Sequence, residues 1–260
     1  MLNEEVLEMT IGIIGCGFVG SALKHWLEKN NPSCVLRVYD PWKGYRDDVS
    51  DCDAYFIQIH VPTMENGTQD LSTLTEVING LPVGKPIWVR STILPGTAQK
   101  LTGETGRTVY FMPHFLTQVM FLEDFSKQPV VITGSEEHKN LLKQIFVNKE
   151  YIEMTSEEAE LAKYAHNVFG ALKITYFNSI YDICKKLNLD YSVVRQCVLS
   201  SSYVDPMHTN VPGPDGKFGY PGNTFSKDVN ALEKMFRYTP LGKLLDPLKK
   251  LNIEFRGEDI

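Results

Sequence analysis

The chain has 260 residues, 43% hydrophobic and 22% charged, with 26 Lys and Arg against 32 Asp and Glu for a net charge of −6. These values exclude disordered, collagen-like and coiled-coil classes and fit one large or two small globular domains. A mildly acidic chain without a basic cluster argues against a nucleic-acid partner, and no apolar run reaches the roughly 20 residues a membrane helix needs. The acidic start MLNEEVLEM lacks the apolar core of a signal peptide. Cys16, Cys34, Cys52, Cys184 and Cys197 are scattered and form no C-x-x-C pair, which argues against a disulfide framework or metal site. A cytoplasmic protein is the expectation.

In chain order, short Val- and Ile-rich runs predict strands at residues 10–14, 35–39, 54–60, 86–91, 109–112 and 130–133. Helical stretches such as 20–28 separate several of them. Strands that are apolar throughout, as in TIGII and AYFIQI, suit a parallel sheet covered on both faces. The fold class expected is therefore α/β, with a Rossmann domain over residues 1–150. From Thr155 the pattern changes. Thr155-Ser-Glu-Glu158 fits a capping box. Leu161, Ala165, Val168, Leu172, Tyr176, Ile180, Ile183 and Leu187 then recur at spacings of four and three, which predicts one long helix. Further helices are expected at 191–199, 227–237 and 241–251, giving an all-helical domain over residues 151–260. Between them, residues 203–223 hold four Gly and four Pro and read as a long functional loop.

Gly15-Cys-Gly17-Phe18-Val19-Gly20 joins a predicted strand to a predicted helix, the setting of a dinucleotide-binding turn. The first glycine permits the turn, the second lets a pyrophosphate approach the backbone, and the third lets helix pack on strand. Asp40 ends the next strand, where a carboxylate accepts the ribose hydroxyls of NAD and repels the 2′-phosphate of NADP. Lys163 and Asn167 are four apart and share a helix face, with Asn178 three turns on. An ammonium and an amide aimed at one point can stabilise an alkoxide.

Four further segments complete the pattern: Val61-Pro62-Thr63-Met64, Arg90-Ser91-Thr92-Ile-Leu-Pro-Gly-Thr97, Glu160-Leu-Ala-Lys163-Tyr-Ala-His-Asn167 and Phe218-Gly219-Tyr220-Pro-Gly222-Asn-Thr224-Phe-Ser-Lys-Asp228. In this order they resemble the UDP-glucose/GDP-mannose dehydrogenase family, whose members oxidise a nucleotide sugar to its acid with two NAD. The resemblance implies NAD binding by Gly15, Gly17, Phe18, Val19, Gly20, Asp40, Val61, Pro62, Thr63, Ser91 and Thr92. It implies alkoxide handling by Lys163 and Asn167, with Asp228 and a water that Thr92 helps hold, and a sugar wrapped by Phe218, Gly219, Tyr220 and Gly222. A homodimer built on the long helix is also implied.

The chain departs from the family pattern in three ways. Thr224 stands where the family has the cysteine that forms a covalent thioester, and a threonine hydroxyl is a far weaker nucleophile than a thiol. His114 and Gln118 replace two glutamates; both remain candidates for touching substrate. The chain ends 32 residues after Asp228, leaving no room for the family's nucleotide-holding domain, so a shortened member is expected. The leading expectation is an NAD-dependent oxidoreductase of a sugar or nucleotide-sugar alcohol, limited to two-electron chemistry. A non-catalytic NAD-binding relative and a 3-hydroxyacid dehydrogenase-like enzyme are the alternatives.

Overall fold

The computed structural model describes residues 8–257. The chain forms two compact units: residues 1–62 with 69–163, and residues 63–68 with 164–260. The division falls inside one helix, between Lys163 and Tyr164.

The first unit is built on a six-stranded sheet. Its strands are β1 (Met9–Ile14), β2 (Cys34–Asp40), β3 (Tyr45–Arg46), β4 (Ala54–Ile57), β5 (Pro86–Val89) and β6 (Thr108–Phe111), in the spatial order β3-β2-β1-β4-β5-β6. All neighbours run parallel except the short β3, which returns antiparallel on the end of β2. Helices α1 (Phe18–Asn30), α2 (Ser72–Asn79) and α3 (Thr97–Thr105) connect strands in the alternation expected of a Rossmann-type sheet. Alternation along each strand sends side chains to two separate cores. Ile11, Ile13, Phe56 and Trp88 enter one, packed with Leu23, Trp26 and Leu27 of α1. Ile14, Tyr55, Ile57, Ile87 and Val89 enter the other. Each such large side chain contributes roughly 1.5–3 kcal/mol by leaving water.

Two features differ from the sequence expectation. Residues 130–133 do not join the main sheet. As β7 (Val130–Ile132) they pair in parallel with β8 (Tyr151–Glu153), a three-residue strand that composition did not reveal. Helices α4 (Phe121–Lys127) and α5 (Glu136–Ile145) flank β7 in sequence. Trp88 Nε1 donates to the Thr133 carbonyl at 3.2 Å, tying β5 to the end of β7.

The long helix α6 (Ser156–Lys186) runs 31 residues. Its start is the expected capping box. The Glu158 amide donates to Thr155 Oγ1 at 3.2 Å, and the Thr155 amide donates to Glu158 Oε2 at 2.8 Å. In the second unit α6 is followed by α7 (Tyr191–Leu199), α8 (Lys227–Met235) and α9 (Pro240–Arg256). Phe177, Cys184 and Tyr191 form a small core where α6 meets α7. Thr239 caps α9, accepting from the Gly242 amide at 3.2 Å. Among the described residues no helix is long and apolar enough to cross a membrane.

The expected apolar stripe of α6 is only partly covered by its own chain: Val168 is buried, and Leu172 and Ile180 are half-buried. Leu161, Tyr176, Ile183 and Leu187 are 47–63% exposed. Glu160, Lys163, Asn167, Thr175 and Asn178 are instead buried, at no more than 4% exposure.

Candidate functional site

In the first unit, the three glycines of the turn have three distinct environments. Gly15 has φ +86°, and a Cβ there would sit 2.5 Å from the Gln58 carbonyl. A Cβ on Gly20 would lie 2.1 Å from the Gly15 carbonyl, so helix and strand close only over glycine. Gly17 caps α1 with no protein atom within 4 Å of its Cβ position, and no acidic residue stands in the helix's first turn. An anion can therefore approach the free amides of α1 without obstruction, which fits the pyrophosphate of a dinucleotide. Phe18 packs edge-on against His114 at 6.0 Å, and Val19 is buried. Asp40 Oδ2 accepts from the Cys16 amide at 2.7 Å, so the carboxylate at the end of β2 also braces the turn.

Val61 is buried, and the Pro62 carbonyl accepts from the Asp70 amide at 3.0 Å. Ser91 Oγ donates to the Ile59 carbonyl at 2.6 Å, and the Thr92 carbonyl accepts from Gln69 Nε2 at 3.0 Å. Thr63 falls in the second unit, and its buried Oγ1 meets no protein partner among the described residues. The loop after Thr92 has an anchor that sequence reading missed. Glu160, fully buried on α6, accepts from the Gly96 amide at 2.6 Å and the Ala98 amide at 2.8 Å, capping α3. Burial outweighs those bonds and pushes its carboxyl up to about 7. Lys163 Nζ, also buried, donates to the His114 carbonyl at 2.6 Å and stands 5.6 Å from the centre of the Phe115 ring. His114 thus meets the lysine through its backbone, while Gln118 is exposed.

In the second unit, Asn167 Nδ2 donates to Asp228 Oδ2 at 2.6 Å. Lys227 Nζ donates to Asp228 Oδ1 at 2.5 Å. Asp228 is fully buried, so both of its oxygens are held by charged or amide donors. Lys227 is the neighbour in sequence that supplies the counter-charge, a role the sequence reading did not assign. Thr224 is exposed on a single π-helical turn, Gly222–Ser226, that leads into α8.

The Gly- and Pro-rich loop is firmly bonded. Tyr191 Oη donates to the Thr209 carbonyl at 2.6 Å, and Arg195 Nε reaches Thr209 Oγ1 at 2.8 Å. Arg256 donates to the Phe218 carbonyl at 3.0 Å and pairs with Asp215 at 2.7 Å. Asn252 accepts from the Tyr220 amide at 2.7 Å and donates to the Tyr220 carbonyl at 3.1 Å. The Gly219 amide donates to Asn178 Oδ1 at 3.0 Å. Asn178 is buried on α6 as Lys163 and Asn167 are, and its carboxamide is bonded to the loop and to the Ile174 carbonyl. It also commits the amides of Gly219 and Tyr220 within the chain, leaving Phe218, 38% exposed, as the accessible side chain of that segment. Gly219 has φ +67°, and a Cβ there would meet Asn252 Oδ1 at 2.4 Å, so glycine is required twice over.

The parallel sheet and the glycine turn of the first unit define a Rossmann-like α/β fold. Residues 157–252 match the model of the UDP-glucose/GDP-mannose dehydrogenase family, central domain. It is 26% identical over 227 residues to a UDP-glucose 6-dehydrogenase of Rickettsia bellii, covering 81% of this chain and 51% of that one. The chain spans about half the length of the curated relatives it matches. In structure it resembles a UDP-glucose dehydrogenase from Pyrobaculum islandicum at TM-score 0.75 and 23% identity, covering 96% of this chain and 70% of that chain. It also resembles a 3-hydroxyisobutyrate dehydrogenase of Mycobacterium tuberculosis at TM-score 0.71 and 17% identity, covering 96% and 95%. These last two likenesses concern the fold.

Proposed function

We propose that this chain is an NAD-dependent oxidoreductase that takes the alcohol of a sugar or nucleotide sugar through one two-electron oxidation. The observation that carries this reading is the buried polar face of α6, where Lys163 and Asn167 stand one turn apart and Asn167 is bonded to Asp228. NAD, when bound, supplies the hydride acceptor. Gly17 and the first amides of α1 would hold its pyrophosphate, and Asp40 its ribose hydroxyls, with Val61, Pro62, Thr63, Ser91 and Thr92 completing the cofactor set. Residues 1–150 act as the cofactor domain and residues 151–260 as the catalytic and dimerisation domain.

The Lys163 ammonium and the Asn167 amide stabilise the alkoxide oxygen as the alcohol loses its proton. Asp228 keeps the Asn167 amide oriented and receives the proton through a water that Thr92 helps hold. Phe218 and Gly222 border the sugar, and His114 and Gln118 lie on the segment that carries the Lys163 anchor. Thr224 offers no thiolate, so no thioester forms and the reaction stops at the aldehyde level. The exposed stripe Leu161, Phe169, Tyr176, Ile183 and Leu187 serves as the homodimer face. The reading keeps the protein in the reducing cytoplasm.

The test is purified protein with NAD and a panel of nucleotide sugars, followed by NADH absorbance and product analysis. One NADH per substrate and an aldehyde product are expected. Acid product with two NADH refutes the two-electron limit. NAD binding by calorimetry without NADH from any substrate replaces this reading with a non-catalytic one. A second reading, oxidation of a small 3-hydroxy acid, is favoured by the near-complete mutual coverage with the 3-hydroxyisobutyrate dehydrogenase. Including 3-hydroxy acids in the panel decides between the two.

A further inference from the structure

Arg90 follows β5 directly and is 1% exposed. Its guanidinium lies 5.3 Å from the centre of the Phe125 ring. Neither Nε nor Nη1 donates to any protein acceptor among the described residues. Burial alone acts on its charge and holds it down to about 9; no carboxylate contributes. Such a group is unusual, since buried charges are ordinarily paired and hydrogen-bonded.

Arg90 lines a cavity of about 20 Å³ together with His114, Phe115, Leu116, Gln128 and Phe125, the ring its guanidinium faces. That exceeds the roughly 10–15 Å³ one water requires. A second cation reinforces the positive potential. Lys149 Nζ stands 5.4 Å from the centre of the same Phe125 ring. It is held by the carbonyls of Phe125, Ser126 and Gln128, with no carboxylate among these partners.

We propose that this cavity is a binding site for one monovalent anion of halide size, held against the Arg90 guanidinium. A water there would accept hydrogen bonds but, being neutral, leave the buried charge uncompensated. A chloride-sized anion accepts the N–H donors and supplies the counter-charge, and the apolar rings around it sharpen the attraction by excluding solvent. The walls include His114, whose carbonyl holds Lys163 Nζ, so the bound anion braces the segment that positions the lysine. The site is independent of what substrate the protein oxidises.

Two measurements test it. Thermal unfolding is followed as chloride replaces gluconate at constant, low ionic strength, gluconate being too large to enter. A saturable rise of about 2–4 °C is expected at chloride well above its dissociation constant. Arg90→Met should abolish the rise and still fold, because it removes an uncompensated charge. Crystals soaked in bromide should show an anomalous peak within hydrogen-bond reach of the guanidinium. A cavity holding only water, with equal unfolding temperatures in the two salts, overturns the proposal. So does a bromide peak without a saturable effect in solution, which means binding at crystal concentration only. If Arg90→Met fails to fold, Arg90→Lys provides the variant arm, with weakened halide dependence expected and an unchanged one refuting.

Discussion

The glycine turn offers a perturbation that separates folding from cofactor binding. Gly17 and Gly20 are three residues apart, yet a methyl group meets opposite conditions at each. At Gly17 the added Cβ has no protein atom within 4 Å, and φ −67° with ψ −164° is open to alanine. Gly17→Ala should therefore cost the fold no more than about 1 kcal/mol, the scale of exchanging one N-cap residue for a poorer one. The same methyl occupies the space through which a pyrophosphate reaches the α1 amides. We expect NAD affinity to fall at least tenfold, about 1.4 kcal/mol. At Gly20 the Cβ lies 2.1 Å from the Gly15 carbonyl and 3.2 Å from Gln58 Nε2. The first neighbour is backbone and cannot rotate away, so Gly20→Ala should destabilise by about 3 kcal/mol or more, the upper range of overpacking. Urea unfolding gives the stability of each variant and calorimetry with NAD gives the affinity. The reasoning fails if Gly17→Ala unfolds as readily as Gly20→Ala, or if it folds normally and binds NAD as well as the unaltered chain.

Other predictions follow from the bonded loop, the buried carboxylate, the missing thiol and the exposed stripe. Asn252→Ala strips partners from the Tyr220 amide and carbonyl, at roughly 1–3 kcal/mol each. Hydrogen exchange should accelerate at residues 217–221, and unchanged protection there would refute the clamp. Glu160, with its carboxyl raised to about 7 from the ordinary 4.5, keeps its proton longer folded than unfolded. Its contribution is full below pH 4.5 and is lost as pH rises through 7, about 3 kcal/mol in all. Glu160→Gln should flatten that slope in unfolding midpoints measured across the range, and an unaltered slope would assign it elsewhere. Thr224→Cys, at an exposed position, should change stability by less than about 0.5 kcal/mol. It should raise NADH per substrate from one toward two, and an unchanged ratio means that the thiol is not the only part missing. Tyr176→Glu on the exposed stripe should shift light-scattering mass toward the monomer, and no shift would remove that face from the interface.

What the sequence could reveal depended on the range of the interaction. The capping box at Thr155 and the bounds of α7 were legible because a helix end is decided by residues three or four apart. The glycine turn was legible because its three glycines recur within six residues, although the Gln58 carbonyl that crowds Gly15 lies 43 positions on. The partners of the candidate site were not. Glu160 reaches the Gly96 amide across 64 positions and Asn252 reaches Tyr220 across 32, and no local periodicity encodes either bond. Strand β8 was hidden for a related reason: three residues carry too little alternation to show a period, and their partner lies 21 positions earlier. Helical spacing placed Asn178 on a face but could not give the bonds to the Gly219 amide and the Ile174 carbonyl that its side chain makes there.

The long helix sharpens this point about faces. Its apolar repeat predicted a helix correctly, and the ordinary inference is that such a stripe is the buried one. In α6 the covered face is mixed: Glu160, Lys163, Asn167, Thr175 and Asn178 are buried beside Val168 and Phe177, while Leu161, Tyr176, Ile183 and Leu187 are not. Burying a polar face is unfavourable unless each group finds a partner. Here Glu160 has two backbone amides, Lys163 a carbonyl, Asn167 a carboxylate and Asn178 a loop amide. Thr175 bonds back to the Ala171 carbonyl within the helix. A helix selected only for stability has no need of that network, since apolar side chains of similar volume would pack there at less cost. Retaining it fits the role proposed above for Lys163, Asn167 and Asp228, and the exposed part of the stripe is the face proposed for a second copy of the chain. Amphipathicity read from the sequence therefore found the element but not which positions are covered, because bonded polar groups share its buried face with apolar ones.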